Sequence, residues 1–479
     1  MAQKIIKSSL FLNLISVGGA TIITKLVGLL AIGYPARILG PLNYGLVGFG
    51  VSVTAYASTL ILPGMLAWGT REIARDHSRA GELLVVVNVT RILFACIAYS
   101  GVACYAFYFS SSILERTVLL LCGLALFNAA LVVDWVFNGL ELMRIPAWVG
   151  VAVSVLNVIA LFIFVRSPDD VTIYAVLAPA SGLLVIVISC LMLSRENVSL
   201  RFPSSNVFKL SFTKSLPLGV MVSLVVVLHY ANNLIVKSYL GAATLGIFMA
   251  AFYLLELAST LPGILGTVFL PRLSRNVVCN RDTAVTETRV FAQIHMTTGF
   301  FIAAFMFIEA PVIIATIYGA KFVASAVLVR IISFGILFNF AITGYTNCLI
   351  SFGRDRVMLL VVIVSAIVAI GGGLILIPRF GAMGAAVVVA VIDFSGWLIS
   401  LPYYRRTIGS LHLSTWIMPA LGAVSIVLMS LLLQKIGLPV WVRIPLATCC
   451  YIPFVISEIK TTISMLKQQL AQLGETNAC

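Results

Sequence analysis

The sequence predicts an all-α polytopic membrane protein of about 14 transmembrane helices, arranged as two six-helix lobes related as parallel repeats plus two extra helices. Three observations predict it. Of 479 residues, 61% are hydrophobic and 10% charged, with a mean hydropathy of +1.10, whereas a water-soluble domain needs about a quarter of its residues charged to cover its surface. Stretches such as 83–109 and 357–377 are almost continuously apolar, which excludes the period-two alternation of a membrane barrel. Finally, short motifs of the first half return about 201 residues later in the second.

Taken in order, apolar windows of about 19 residues fall near 10–34, 44–69, 83–109, 118–138, 145–165, 172–194, 216–237, 244–270, 290–309, 325–350, 357–377, 381–402, 414–434 and 441–457. Lys4 and Lys7 precede the first run as in a secretory signal, but the run continues to Tyr34 without a clear cleavage site, so a retained first span is expected. An even number of spans places both termini on one face. Twenty of the 31 Lys and Arg residues belong to that face and eight to the other, so both termini are expected in the cytoplasm. The division that follows is residues 1–194 for the first lobe, 195–215 for a cytoplasmic linker carrying Pro203, Ser204 and Ser205, 216–402 for the second lobe, 403–457 for two accessory helices and 458–479 for a tail.

The repeat rests on ordered matches. Leu39-Gly40-Pro41-Leu42-Asn43-Tyr44-Gly45 answers Leu240-Gly241-Ala242-Ala243-Thr244-Leu245-Gly246, Pro63-Gly64 answers Pro262-Gly263, Arg71 answers Arg272, and Phe127-Asn128 answers Phe338-Asn339. Six helices return the chain to its starting face, so the second lobe enters from the same side as the first. Pro63 and Pro262 each remove a backbone donor and precede a glycine, which marks them as static kinks or as paired hinges.

A net charge of +14 invites a nucleic-acid reading, but the basic residues are scattered over the connections and form no groove. None of the nine cysteines has metal-ligand spacing. No phosphate-binding glycine loop of the ATPase kind is present, and neither a metal nor a cofactor is expected. Trp135, Trp148, Trp397, Trp416 and Trp441 read as interface-belt aromatics.

Ionisable side chains within spans are functional candidates by default. Lys25, mid-span, is the leading candidate for holding a bound anion, the alternative being a structural ion pair to an acid on another helix. Arg91 lies about 12 Å into the third span at 1.5 Å per residue, and Asp134 approaches the same face in the fourth. They form either a structural pair, or an anion ligand and a coupling site. Arg330 and Lys237 lie near external ends, as further substrate ligands or as side chains that reach to the headgroups. Glu256, Asp393 and His229 sit deeper, as proton carriers or as groups hydrogen-bonded within the bundle.

Two six-helix lobes, the Leu-Gly-x-x-x-x-Gly loops before the second and eighth spans and Arg71-Glu72-Ile73-Ala74-Arg75 after the second together resemble the polysaccharide flippases of the multidrug/oligosaccharidyl-lipid/polysaccharide exporter superfamily. The resemblance implies that a polyprenyl-pyrophosphate-linked oligosaccharide, of the O-antigen or capsule kind, is moved from the cytoplasmic to the outer leaflet. It also implies alternating access, polysaccharide polymerase partners, and the membrane potential or H+ or Na+ antiport as the driving force. Two alternatives compete with it. A drug or cation exporter of the same fold would want carboxylates where this chain has Lys25 and Arg91. A membrane-embedded polysaccharide enzyme would want carboxylates on a sizeable loop, and Asp169-Asp170 is the only adjacent acidic pair.

Overall fold

A computed structural model describes residues 2–196, 198–409 and 414–456; within them the side chains of 2–17, 21–22, 25–26, 29–30, 205–206, 267–268, 271–272 and 414 lie outside the described set. The expected tail, 458–479, also lies outside it. The described chain is helical almost throughout. Among the described residues, ten stretches are long and apolar enough to cross a membrane.

α1 (Ala2–Ser58) is one assigned helix of 57 residues, about 85 Å at 1.5 Å per residue and far longer than the bilayer's apolar core of about 30 Å. It turns at Gly40, where φ 74 and ψ 173 are open to glycine and costly for a residue with a Cβ. α9 (Ser205–Ala258) breaks in the same way at Gly241, with φ 83 and ψ 172. The two repeat loops of the sequence thus share one backbone conformation. α13 (Asp355–Ile408) breaks at Gly381.

The remaining elements follow from local signals. α2 (Gly64–Arg75) starts after Leu62, whose φ of 51 and ψ of 63 place it in the left-handed region. α3 (Ala80–Phe109) follows a turn in which the Asp76 side chain accepts the Ser78 N–H. The fourth span, expected over 118–138, lies within the membrane-length stretch Ile113–Gly139 and is built of three helices: α4 (Ile113–Gly123), α5 (Ala125–Leu131) and α6 (Asp134–Gly139). Ser112 starts α4 by accepting the Glu115 N–H at 3.1 Å, a side chain satisfying a donor that the helix cannot. α7 (Arg144–Phe164) and α8 (Val171–Leu193) complete this region. α9 begins at Ser205, inside the expected linker 195–215.

In the second half, α10 (Thr260–Cys279) and α11 (Arg281–Ile317) meet at Asn280, whose side chain accepts the N–H groups of Asp282 and Thr283. α12 (Ser325–Ser351), α14 (Ser414–Lys435) and α15 (Val440–Cys449) follow. Neither proline kinks a continuous helix. Pro63 is the residue before α2, and Pro262 is the third residue of α10; at a helix start the missing N–H has no intrahelical partner to lose.

By backbone proximity the chain divides into two compact units, Met1–Met249 and Ala250–Cys479. In the first, Met65, Trp68, Ile73, Leu83, Val87, Val136 and Phe137 form a buried cluster. In the second, Leu273, Phe291, Tyr345, Cys348 and Tyr404 do so. Trp135, expected in an interface belt, is buried at 3% exposure because its ring fills the space left by Gly69. Trp148 and Trp441 are exposed, as belt residues are.

Candidate functional site

Arg91 is the buried cation that the sequence placed in the third span, and the structure shows what holds it. It lies on α3 at 3% exposure. Its Nη2 donates to the Ala129 carbonyl at 2.6 Å, while Nε and Nη1 have no partner among the described residues. That carbonyl is available because α5 stops at Leu131 and Val132 turns out of the helix with φ −54 and ψ 135. The last carbonyls of a helix have no intrahelical donor and carry the negative end of its dipole. Asn88, one turn earlier on α3, has an unpartnered Oδ1.

Asp134 begins α6, two residues beyond that turn, and its Oδ1 has no partner. Among the described residues no ion pair joins Arg91 to Asp134; the pair allowed by the sequence gives way because the break supplies a carbonyl to the guanidinium and moves Asp134 onto a separate helix.

Lys237 is not reaching for headgroups. On α9 it pairs with Glu115 of α4, and its ammonium lies 4.4 Å from the centre of the Phe49 ring, so its charge is compensated within the first unit. Arg330 is exposed on α12. Asp393 on α13 accepts from Asn339 Nδ2 of α12 at 3.1 Å. The matching asparagine, Asn128, donates to the Pro179 carbonyl of α8 at 2.7 Å. The two Phe-Asn motifs thus tie α5 to α8 and α12 to α13. Glu256 is half-buried on α9, and His229 is exposed on the same helix with its ring 6.3 Å from that of Tyr230. Lys25 lies in α1 and Arg272 in α10, but both side chains are outside the described residues.

Two features were not found from the sequence. Glu309 on α11, 1% exposed, accepts from Arg443 Nη2 of α15 at 2.5 Å and from Ser430 Oγ of α14 at 2.8 Å. This node pins both accessory helices to α11. The signal was present: Glu309 ends the ninth apolar window and Arg443 lies near the start of the fourteenth. His295, fully buried on α11, has Nδ1 2.9 Å from the Phe291 carbonyl and Nε2 3.4 Å from the Pro262 carbonyl, tying the start of α10 to its neighbour.

The charged motif at 71–75 shapes a connection. Ile73 is buried, Glu72 pairs with Arg75 at 2.9 Å and Arg79 at 3.3 Å, and the Ser78 hydroxyl and N–H hold the Asp76 carboxyl below its usual range.

Comparison with known proteins agrees with this architecture. A family model described as polysaccharide biosynthesis protein matches residues 10–277. The capsular polysaccharide biosynthesis protein CapF of Staphylococcus aureus is 23% identical over 273 residues, 54% of this chain and 67% of that protein. A Shigella dysenteriae protein named as an O-antigen transporter is 25% identical over 247 residues, 50% of this chain and 62% of its own length. This chain therefore spans less than two thirds of the second relative. Among solved structures, the lipid II flippase MurJ in an inward closed conformation is similar with a TM-score of 0.72, covering 95% of this chain and 100% of that one at 14% identity, a likeness of fold. Since the family match takes in more than half of the sequence, the chain belongs to the polysaccharide biosynthesis protein family, on a MurJ-like all-helical membrane fold.

Proposed function

We propose that this protein is a flippase that moves polyprenyl-pyrophosphate-linked oligosaccharide repeat units from the cytoplasmic to the outer leaflet of the plasma membrane by alternating access. Membership of the polysaccharide family supports the substrate class, and the idle guanidinium donors of Arg91 are the observation that carries the site. An arginine at mid-membrane costs about 2.5–3.5 kcal/mol on insertion scales. One carbonyl answers one of its donors, and the remaining N–H groups suit the oxygens of a pyrophosphate. Lys25 is proposed as the second cation, and Arg330 as a ligand nearer the surface. Asp134, Asp393, Glu256 and His229 remain the candidates for H+ or Na+ coupling. A dianion leaving a negative interior gains about 4.6 kcal/mol per 100 mV even without a coupling ion.

Fourteen crossings in two parallel six-helix repeats, with both termini cytoplasmic, fit the same reading. Breaking α1, α9 and α13 at Gly40, Gly241 and Gly381 gives each of them two crossings, and the matched geometry of Gly40 and Gly241 supports the repeat. The hinge role of Pro63 and Pro262 stands as a proposal; the left-handed Leu62 supports it at the first site. Polymerases are the expected partners, since they consume the delivered repeat unit.

Expression in a host lacking its own flippase for a matched repeat unit is expected to restore surface polymer. Arg91→Gln is expected to lose most of that polymer at unchanged protein level. Adding Asp134→Asn is expected to rescue nothing, because the two residues are not paired. Full polymer display by Arg91→Gln contradicts the site, and failure of the unaltered chain across several repeat units contradicts the function.

A further inference from the structure

The first unit contains a seam whose contacts differ in kind from ordinary helix packing. Along α1 after Gly40, Gly45 meets α9 at Ala242, Phe49 meets Lys237, Ser52 accepts from Asn233 Nδ2 at 2.9 Å, and the Tyr56 hydroxyl donates to the Val227 carbonyl at 3.1 Å. Beyond α1, Gly64 lies against Ser215 and Gly219. Positions on α9 fall as those on α1 and α2 rise, so the strands of contact run antiparallel through the whole depth of the seam. At one end the glycine contact is reciprocal: a Cβ at Gly45 would sit 1.9 Å from the Ala242 carbonyl oxygen, and a Cβ at Gly246 would sit 2.0 Å from that of Pro41. Backbones meet at that contact, and one turn further along α1 the Met249 side chain of α9 is seated on Gly48.

Charge is placed at that same end. Glu115 is 5% and Lys237 14% exposed at the side chain, and the Phe49 face covers the ammonium. A desolvated pair attracts strongly, whereas the same pair in water is worth little. Water entering the seam therefore weakens the contact that kept it out, which makes the closure two-state rather than graded.

We propose that Glu115, Lys237 and Phe49 form a latch that holds the outer end of the seam closed and is released when the protein opens outward. The proposal rests on the alternating-access reading above and assigns Lys237 a positioning role in place of substrate binding. Ser52, fully buried in the seam, reports on the latch once replaced by cysteine. With Ser52→Cys in a background where the exposed native cysteines are replaced, a membrane-impermeant maleimide added from outside is expected to label slowly. Neutralising the latch with Glu115→Gln and Lys237→Met together is expected to raise the labelling rate at least fivefold, and the Glu115→Lys, Lys237→Glu swap is expected to bring it back toward the starting rate. A double neutral variant labelled no faster than its parent overturns the latch. As a second test, Ser52→Cys with Asn233→Cys oxidised to a disulfide is expected to lose polymer export and to regain it on reduction; a verified cross-link with undiminished export also overturns the proposal. Labelling is read in cells without regard to export, so a failed functional reading and a failed latch give different results.

Discussion

Gly45→Val is expected to leave little folded protein, and the surviving fraction is expected to be inactive. The contact has no room for a side chain: an added Cβ would lie 1.9 Å from the Ala242 carbonyl oxygen and 2.8 Å from the Gly246 nitrogen, against an ordinary contact of at least 3.4 Å. Both obstacles are backbone, so neither can rotate away. The helices must separate by about 1.5 Å, which stretches the Asn233–Ser52 hydrogen bond and the Lys237–Glu115 pair in the same seam. Overpacking of a close-packed interior costs about 1–3 kcal/mol where side chains can adjust, and more is expected where only main chain is in the way. Gly241→Ala is the comparator, because an added Cβ there meets open space and the penalty comes only from its backbone conformation, φ 83 and ψ 172, about 1–3 kcal/mol. Detergent-solubilised fluorescent fusions run on size exclusion are expected to rank unaltered chain, Gly241→Ala and Gly45→Val in falling order of monodisperse yield. Equal yields for Gly45→Val and the unaltered chain contradict the contact.

Removing one member of the Glu309 node is expected to have the second large effect. Glu309→Leu leaves the Arg443 guanidinium, 7% exposed, without its carboxylate, and Arg443→Met leaves Glu309 with Ser430 alone. Breaking a buried pair from one side costs about 3–5 kcal/mol, because an uncompensated charge remains in low dielectric. Replacing both members by apolar residues removes that charge, so the double variant is expected to recover most of the loss. Ser430→Ala costs less, about 1.5–3 kcal/mol, as one hydrogen bond to a charged group. Thermal unfolding of the purified protein in one detergent measures the cycle. Proteolysis near Lys435, in the last turn of α14, is expected to speed up in the singles and not in the double. Additive losses in the double contradict the pairing.

How far the sequence could be read depended on where each signal is written. Composition and long apolar runs declare a helical membrane protein directly, because the solvent dictates them. The matching breaks were legible at Gly40 and Gly241, since a positive φ selects glycine and leaves it in the sequence. The windows 414–434 and 441–457 match α14 and most of α15. Span four was legible as a span, but its internal break at Val132 and Val133 was not, because it carries no proline, glycine or polar turn residue; two valines look like strand or helix interior, and only packing reveals the bend. Arg91 was found as a buried cation, but its partner is a main-chain carbonyl freed by that same break, and main-chain partners have no letter in a sequence. Lys237 and Glu115 are separated by 122 positions, and Glu309 and Arg443 by 134; each pair joins a span to one far along the chain, so only the fold could bring them together.

Transbilayer movement of a lipid-linked sugar is the activity proposed for this protein. Purified protein reconstituted into vesicles, with a fluorescent polyprenyl-pyrophosphate oligosaccharide at first confined to the inner leaflet, measures it by the fraction of sugar that becomes open to an external glycosidase. That fraction is expected to rise at least tenfold faster than in protein-free vesicles, to rise faster still with an inside-negative potential as the dianion moves outward, and to fall to near background with Arg91→Gln. A rate equal to that of protein-free vesicles, with correctly folded protein across several oligosaccharides, would contradict the flippase assignment.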